Sequence, residues 1–288
     1  MPDRPEPRLD PRLHAYREDL ADARLAGRVE ARRWSEGRPA QVAAGIVALH
    51  RRPEPAAPLD SQLLSGETLR VFETRAGWSW VQNEADGYTG YCRSACLSAE
   101  VRAPTHRVVA LSTPVFPEPT IKAPSSERLS FWGSLAAVGE RGRFLERAEG
   151  GWIFAGHLAE TGWREPDRIA TAERFLGLPY IWGGRSGLGV DCSGLIQLSF
   201  AAAGRAVPRD SDQQAASEAV GRALPLDAVP ERGDLVFWKG HVALALGEGA
   251  VLNATAFPLM TVIEPLAKLH ARACQDSPDG VVALRRPE

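Results

Sequence analysis

The 288-residue chain lacks several features that would place it in particular classes of protein. Its apolar runs all fall short of the ~18 residues that a transmembrane helix needs. Prolines and charges also interrupt the N-terminal segment, where a secretory signal would need an apolar stretch of ~7–15 residues. The net charge of −2 gives no global sign of the concentrated positive surface on which nucleic-acid binding depends. We therefore expect a cytoplasmic protein whose partners are neither nucleic acid nor membrane.

Cysteine is also scarce, with four residues at positions 92, 96, 192 and 274. The CxxxC spacing of Cys92 and Cys96 differs from the CxxC spacing of zinc sites and redox pairs, so we interpret both as small apolar fillers. The sequence contains neither an HExxH string nor a convincing cluster of metal ligands. We expect no disulfide framework, no metal and no other cofactor.

The composition that remains is that of a globular protein, with 44% apolar and 24% charged residues. This length predicts two or three domains. Leucine and valine recur at roughly helical spacing between residues 11 and 34, which predicts a helical extension over residues 1–40. The residues that carry this pattern are Leu13, Leu20, Leu25 and Val29.

Residues 41–163 change in character, because short apolar runs now alternate with clusters of glycine, proline and aspartate. This pattern is typical of small β-barrels or sandwiches. The string RAGWSWV (75–81) is echoed by RAEGGWIFA (147–155), and the VAL of 47–49 by that of 109–111. The echo predicts two copies of one module, at 41–104 and, in degenerate form, at 105–163.

Residues 164–288 combine helical and strand patterns, so we expect an α+β domain. Helices are predicted at 168–178, 192–204 and 211–219, and strands at 234–238, 241–247 and 250–256.

Cys192 stands in the string V-D-C-S-G-L-I, where a glycine-rich loop enters a predicted helix. The partial positive charge of a helix N-terminus favours a thiolate, which is the reactive form of cysteine. A cysteine at a helix start is also often a buried packing residue. Position alone leaves both interpretations open, and a base is needed to decide between them.

His241 differs from the other five histidines because it opens an apolar strand directly after a glycine. It can therefore face a helix N-terminus as the base of a Cys–His pair, although a lone histidine is more often structural. Asn253 follows within another apolar run and needs a hydrogen-bond partner there. If 247–249 forms a three-residue hairpin loop, Ala243 pairs with Asn253, and His241 and Asn253 share one face of the sheet. A two-residue loop would put them on opposite faces.

Several spaced motifs of this C-terminal part resemble those of the NlpC-type cell-wall cysteine peptidases. In chain order they are P-Y-x-W-G-G (179–184), D-C-S-G (191–194), P-R-D-S-D-Q (208–213), G-D-L-V-F (233–237), G-H-V (240–242) and the polar residue at 253. The resemblance implies a papain-like domain that cuts peptidoglycan stem peptides. It makes Cys192 the nucleophile, His241 the base and Asn253 the residue that orients the imidazole. Many family members carry histidine at this third position, but asparagine accepts the imidazole N–H as well.

The same resemblance implies further roles around the nucleophile. Tyr180 matches a family tyrosine whose hydroxyl helps to hold the oxyanion. The residues implied in substrate binding within this domain are Trp182, Asp191, Ser193, Arg209, Asp210 and Ser211. Asp210 or Ser211 is also a good N-cap for the helix predicted at 211–219, and the two roles are compatible.

The string S-G-E-T-L-R-V-F-E-T-R-A-G-W, continued by D-G-Y-T-G-Y-C, resembles the bacterial SH3-like fold. SH3-like modules followed by an NlpC-type domain are similar to the γ-D-glutamyl-L-diamino acid endopeptidases of murein peptide recycling. In that subfamily the first SH3-like domain binds the free N-terminal amine of the peptide, which implies Glu67 and Tyr88 as its ligands here. The alternative makes Glu67 a solvated strand residue and Tyr88 a turn aromatic.

The predicted architecture is therefore two small all-β SH3-like barrels followed by an α+β papain-like peptidase domain at 164–288. The predicted activity is cleavage of the γ-D-glutamyl–diamino acid bond in murein stem peptides with a free N-terminal L-Ala. One alternative is a cysteine hydrolase or acyltransferase that acts on another amide or on intact cell wall. The second alternative is a non-catalytic SH3-like binding or scaffold protein.

Overall fold

The computed structural model describes residues 9–125, 127–276 and 278–288, and it divides into two compact units, Met1–Arg102 and Ala103–Glu288. Strands predominate and helices are few. None of the helices in the described ranges is long and apolar enough to cross a membrane.

The first unit is built from strands joined by tight turns. Short 3-10 turns lie at Ala23–Leu25 and Ser94–Cys96. The strands are β1 Ala21–Asp22, β2 Trp34–Ser35, β3 Arg38–Val42, β4 Ile46–His50, β5 Leu59–Leu64, β6 Thr68–Arg75, β7 Trp78–Asn83, β8 Thr89–Arg93 and β9 Leu97–Ser98.

Seven of these strands form one antiparallel sheet in the order β5-β4-β8-β7-β6-β3-β9. Alternate residues such as Leu69 and Val71 of β6 point into a common core, as the period of two in a strand requires. Cys92 is fully enclosed in this core and Cys96 packs against it, which confirms that both are apolar fillers. Burial raises the pKa of the Cys92 thiol to about 12, so this group stays protonated.

The helix predicted within 11–34 is wrong, and the part of the predicted extension at 1–8 lies outside the described residues. The apolar side chains of the segment pack individually onto the sheet, where Ala15 and Leu20 are buried against Phe72 and Trp80. Arg17 fixes the path further, since its guanidinium bonds to Glu73 Oε2 at 2.7 Å and to Tyr91 Oη at 2.6 Å. These tertiary contacts outweigh a weak helical periodicity.

The second unit begins with short strands, continues with helices and closes on a larger sheet. Its elements are β10 His106–Val108, β11 Ser112–Val115, β12 Glu127–Ser130, β13 Ser134–Leu135, β14 Ala137–Arg141, β15 Phe144–Arg147, β16 Trp152–Phe154, β17 Leu158–Glu160, α1 Arg168–Glu173, β18 Arg185–Ser186, β19 Gly189–Val190, α2 Cys192–Ala202, α3 Ser211–Ala216, β20 Arg222–Ala223, β21 Leu235–Trp238, β22 His241–Gly247, β23 Ala250–Thr255, β24 Met260–Pro265, α4 Leu266–Asp276 and β25 Val281–Arg286, with 3-10 turns at Ala155–His157 and Glu218–Val220.

The large sheet of this unit is antiparallel, in the order β20-β25-β21-β22-β23-β24. Helix α2 packs against β22 and β23, and nearly all of its residues are buried. This matches its sequence, because a helix that is apolar on all sides must lie in the interior. Helix α4 has an amphipathic sequence instead, and its Leu269 packs with Val236, Trp238 and Val251 of the sheet.

The strands between 106 and 160 pack tightly against the part that carries the helices. The ring of Phe131 meets that of Phe175 edge-on at 5.7 Å, and both side chains are fully buried. The backbone N–H of Gly187, in the loop before α2, donates to Ser130 Oγ at 2.9 Å. A Cβ on Gly187 would lie 1.6 Å from the carbonyl oxygen of Leu111, so only glycine allows this approach.

We predict that Gly187→Ala lowers the free energy of unfolding by about 1–3 kcal/mol, because backbone has to move to relieve the clash. Urea unfolding monitored by tryptophan fluorescence measures the change. Gly162→Ala is the matched control, since a Cβ there meets nothing within 4 Å. Equal stability of the two variants would contradict the close approach.

Candidate active site

The first turn of α2, which carries Cys192, is held by the aspartate that precedes it. Asp191 Oδ1 accepts the N–H of Gly194 at 2.7 Å, so Asp191 is the N-cap of the helix. Gly194 itself lies against the glycine-rich loop, where a Cβ would stand 2.2 Å from the carbonyl oxygen of Gly184. The D-C-S-G string therefore contains a cap, the cysteine and the one residue small enough for this packing.

Asp191 is also one half of a buried ion pair. Arg209 is fully enclosed, and its guanidinium donates to both carboxylate oxygens of Asp191 at 3.0 and 2.7 Å. The same group donates to Ser193 Oγ at 3.0 Å. The ion pair between Arg209 and Asp191 therefore connects the loop at Arg209 to the first turn of α2.

His241 and Asn253 lie together at the start of β22 and within β23. The ladder pairs Leu244 with Leu252 and so sets Ala243 opposite Asn253. His241 Nε2 and Asn253 Oδ1 are 3.1 Å apart, which confirms the predicted shared face. Because the amide oxygen is an acceptor, Nε2 carries the proton and Nδ1 is left as the basic nitrogen.

The hairpin reaches this register by a different route from the three-residue loop considered in the sequence analysis. Gly247 pairs with Ala250, so the turn has two central residues, Glu248 and Gly249, with φ of 52° and 73°. The ladder shifts by one residue between Ala245 and Gly247. This bulge restores the face that a two-residue turn alone would have reversed.

Cys192 and His241 both lie in a strongly desolvated environment. Burial, with the negative charge of Asp191 second, raises the pKa of the Cys192 thiol to about 12, although backbone hydrogen bonds from Val242 and Ser193 favour the thiolate. Burial lowers the pKa of His241 to about 4, and the hydrogen bond with Asn253 only partly opposes this. Each group alone is therefore neutral at neutral pH. Transfer of the thiol proton to the imidazole creates both charges together, so that each stabilises the other.

Tyr180 and Trp182 precede Cys192 in the chain and lie on the glycine-rich loop. Tyr180 forms a β-bridge with Val190, which places it beside the entry to α2. Burial, followed by electrostatic interaction with Cys192 and Asp191, raises the pKa of the Tyr180 hydroxyl, which stays a hydrogen-bond donor. The Trp182 side chain is 68% exposed and is available to a ligand. Their roles towards substrate stay predictions.

Three residues expected to bind substrate also make contacts within the protein. Arg209 is wholly buried, and Ser193 Oγ donates to Asp191 Oδ1 at 3.3 Å within the same buried network. Their polar atoms hold the helix start, and direct contact of these three residues with substrate stays a prediction. Asp210 forms a capping box with Gln213 at the start of α3. Ser211, the first residue of α3, is half-buried.

Glu67 and Tyr88 both contribute to the first unit itself. Glu67 Oε2 accepts the backbone N–H of Leu64 at 2.8 Å in the turn before β6. Tyr88 is 3% exposed and belongs to the core of the sheet. Glu67 is therefore bonded within a turn rather than merely solvated, and Tyr88 is a core residue rather than only a turn aromatic. Binding of a peptide amine by these residues stays a prediction.

The sequence did not indicate three residues that complete the site. Trp238 pairs with His241 in the sheet, and their rings are 6.0 Å apart. Asn253 Nδ2 donates to Glu264 Oε1 at 3.2 Å, and Arg272 of α4 binds this carboxylate. The alternation in M-T-V-I-E-P (260–265) would have placed Glu264 on the face of Asn253 once the β23–β24 register was known.

Comparison with known proteins agrees with this geometry. Residues 177–266 match the NlpC/P60 family, and residues 49–97 match a domain described as the bacterial dipeptidyl-peptidase Sh3 domain. A γ-D-glutamyl-L-lysine dipeptidyl-peptidase of Bacillus subtilis is 31% identical over 217 residues, which cover 68% of this chain and 72% of the relative. This chain belongs to the NlpC/P60 family.

Other NlpC/P60 relatives extend the likeness over most of the chain. Dipeptidyl-peptidase 6 of Lysinibacillus sphaericus is 25% identical, with 84% of this chain and 97% of the relative covered. The crystal structure of an NlpC/P60 family protein from Bacillus cereus shares the fold, with a TM-score of 0.71 at 22% identity over 86% of this chain and 99% of that chain. The protein is thus a cysteine peptidase with an SH3-like domain and an NlpC/P60 domain.

We predict that Asp191→Ala lowers the free energy of unfolding by about 3–5 kcal/mol, because it removes the carboxylate that binds a buried guanidinium with both oxygens and also removes the cap of α2. Chemical unfolding gives the value. Glu173→Ala removes an exposed partner of Arg232 and serves as the control, with a loss below about 1 kcal/mol. A similar small loss in Asp191→Ala would refute the role assigned to the pair.

Proposed function

We propose that the protein cleaves the γ-D-glutamyl–diamino acid bond of free murein stem peptides, with diaminopimelate or lysine as the diamino acid. The observation that carries this proposal is that the buried Cys192 thiol at the start of α2 is hydrogen-bonded by the backbone N–H of Val242, the residue after His241, whose imidazole is held by Asn253. Relatives named as γ-D-glutamyl-L-lysine dipeptidyl-peptidase and dipeptidyl-peptidase 6 supply the substrate class.

In the first half-reaction, Sγ of Cys192 gives its proton to Nδ1 of His241 and attacks the γ-carbonyl carbon of the glutamate. Negative charge then develops on the carbonyl oxygen. The helix N-terminus offers backbone N–H groups that lack intrahelical acceptors, and the Tyr180 hydroxyl is a further donor. The imidazolium returns its proton to the amine of the diamino acid as the C–N bond breaks.

In the second half-reaction, water replaces the departed amine at the thioester. Neutral His241 takes a proton from this water, whose oxygen bonds to the acyl carbon. The C–S bond breaks, the thiolate recovers the proton from the imidazolium, and the dipeptide leaves as a carboxylic acid, which loses its remaining proton to the solvent. Asn253 keeps the imidazole in the same orientation through both steps.

We also propose that the second unit combines a degenerate SH3-like module with a papain-like domain. A recurring pattern supports the first part. In each module a strand runs into a 3-10 turn and then a final strand, and the N–H of Leu97 or Leu158 closes the turn on Ser94 or Ala155. The papain-like arrangement is supported by α2, which carries the nucleophile at its N-terminus and packs on an antiparallel sheet that carries the base.

We expect kcat/KM to fall as the pH drops through about 4, because protonated His241 no longer accepts the thiol proton. Burial lowers this pKa, so the loss of activity lies on the acid side of the ordinary histidine value of 6.5. Initial rates between pH 3.5 and 8 test this, with circular dichroism at each pH to show that the protein stays folded. A midpoint near 6.5 would contradict a desolvated base.

We expect the protein to cleave L-Ala-γ-D-Glu-L-Lys or its meso-diaminopimelate analogue, with release of the diamino acid measured by liquid chromatography. Cys192→Ala removes the nucleophile, so the rate should fall by more than about a thousandfold. Cys274→Ala is the control, because it removes a half-buried thiol outside the site.

The N-acetylated forms of the same peptides test the free-amine requirement. Cleavage of the free forms alone supports recycling peptides as the substrate, and Glu67→Gln then tests the predicted amine ligand. Equal cleavage of both forms favours a wall hydrolase. Failure to cleave any of these peptides would refute the proposed substrate.

A further inference from the structure

Asn253 presents an orientation problem that the catalytic pair alone does not solve. An amide side chain has an acceptor oxygen at one end and a donor nitrogen at the other. Only the oxygen, directed at His241 Nε2, keeps the proton on Nε2 and leaves Nδ1 free to accept the thiol proton. An amide rotated by 180° would present N–H groups to Nε2 and favour the opposite tautomer. Since Asn253 is 1% exposed, bulk water does not decide between the two.

Glu264 decides the orientation through the other end of the amide. Asn253 Nδ2 donates to Glu264 Oε1 at 3.2 Å, while Asn253 Oδ1 accepts from His241 at 3.1 Å. An ionised carboxylate only accepts hydrogen bonds. The rotated amide would set its oxygen against the carboxylate and its N–H groups against Nε2, so both contacts would be lost together.

The sheet register brings Glu264 to this position. Asn253 pairs with Val262 in the β23–β24 ladder, so Glu264 is its diagonal neighbour on the same face. Both residues sit on straight strands rather than on the loop between them. The distance between them is therefore set by backbone hydrogen bonds.

Arg272 of α4 holds Glu264 in turn. Its two terminal nitrogens lie 2.9 Å from Oε2 and 2.6 Å from Oε1 of the carboxylate. The exposed fractions of the two side chains are 10% for Glu264 and 18% for Arg272. Burial by itself would raise the pKa of Glu264, but the hydrogen bonds from Arg272 and Asn253 outweigh it and bring this pKa below its usual value. The carboxylate thus stays ionised and acceptor-only at neutral pH.

We infer that Glu264, held by Arg272, is a positioning residue of the catalytic centre that selects the reactive tautomer of His241 through the amide of Asn253. This inference deepens the proposed function and rests on it. Glu264 touches no reacting atom, so its loss should lower kcat and the reactivity of the thiol but leave KM almost unchanged.

The decisive experiment compares Glu264→Ala with a double variant in which the hydrogen bond between residues 253 and 264 runs in the opposite direction. Glu264→Ala frees the amide and should lower kcat by about tenfold, as the loss of an orienting partner commonly does, with KM within about twofold. In the double variant Asn253→Asp/Glu264→Gln, the carboxylate at 253 accepts from His241 with either oxygen and the amide at 264 donates to it. The double variant should therefore recover kcat to within about threefold of the wild type. Asn253→Asp alone sets two carboxylates side by side and should be the weaker enzyme.

Alkylation of Cys192 by iodoacetamide gives a readout that needs no substrate. Peptide mass spectrometry follows Cys192 separately from the other three cysteines. Because only the thiolate reacts, the rate should fall in Glu264→Ala and recover in the double variant. Absence of peptide cleavage by the wild type would count against the proposed function, whereas the alkylation rates would still decide the role of Glu264.

Asp234→Asn is the matched control for a purely structural loss. Asp234 is a buried carboxylate of the same domain that also pairs with an arginine, Arg286, at 2.8 Å, but it makes no contact with the catalytic pair among the described residues. Its variant should lose stability and keep the alkylation rate. If Glu264→Ala has the same alkylation rate as the wild type, or if the double variant stays as slow as Glu264→Ala, the positioning role is refuted.

Discussion

A fully enclosed guanidinium is stable only when its charge is matched, because removal of an unpaired cation from water costs several kcal/mol. Arg209 meets that requirement with Asp191, and the same aspartate caps the helix that begins at Cys192. One carboxylate thus serves the ion pair and the helix start together. The position of Cys192 at the helix start therefore follows from a buried interaction within the protein. This explains why the residues of the motif surrounding Cys192 are mostly occupied with one another.

The same lack of solvent shapes the chemistry of the site. Cys192 and His241 are each neutral when considered alone, since burial penalises a thiolate and an imidazolium separately. Proton transfer between them creates a dipole with no net charge, which a desolvated site tolerates far better than either ion. Neighbouring charges then matter more than they would in water. The helix N-terminus and the backbone N–H groups near Val242 favour the negative partner, and the Asn253 amide oxygen favours the positive one.

The strand and helix that carry His241 and Cys192 were predictable from the sequence, whereas many of the tertiary contacts that hold the fold together were not. The strand at 241–247 was predicted with its observed bounds, and the helix beginning at Cys192 ends at Ala202, two residues early. Long apolar runs bounded by glycine allow such predictions. The helix predicted within 11–34 failed because its side chains pack on the distant strand residues Phe72 and Trp80. Contacts of that kind depend on tertiary structure, which a periodic pattern does not contain.

The candidate catalytic residues could be singled out for a related reason, whereas the contacts that Arg209 and Glu264 make within the protein could not. Cys192, His241 and Asn253 each stand at an unusual position in a local pattern: a helix start, a strand start and a polar residue in an apolar strand. The resemblance implied a role for Arg209 in substrate binding, but its bond to Asp191 was not predictable, because a motif shows that a residue matters and not what it touches. Glu264 follows two places after Val262 in an ordinary amphipathic strand, so its part becomes visible only with the strand register and the helix that brings Arg272. Helix α4 therefore packs on the sheet through Leu269, and its Arg272 also begins the series of hydrogen bonds that runs through Glu264 and Asn253 to the imidazole of His241.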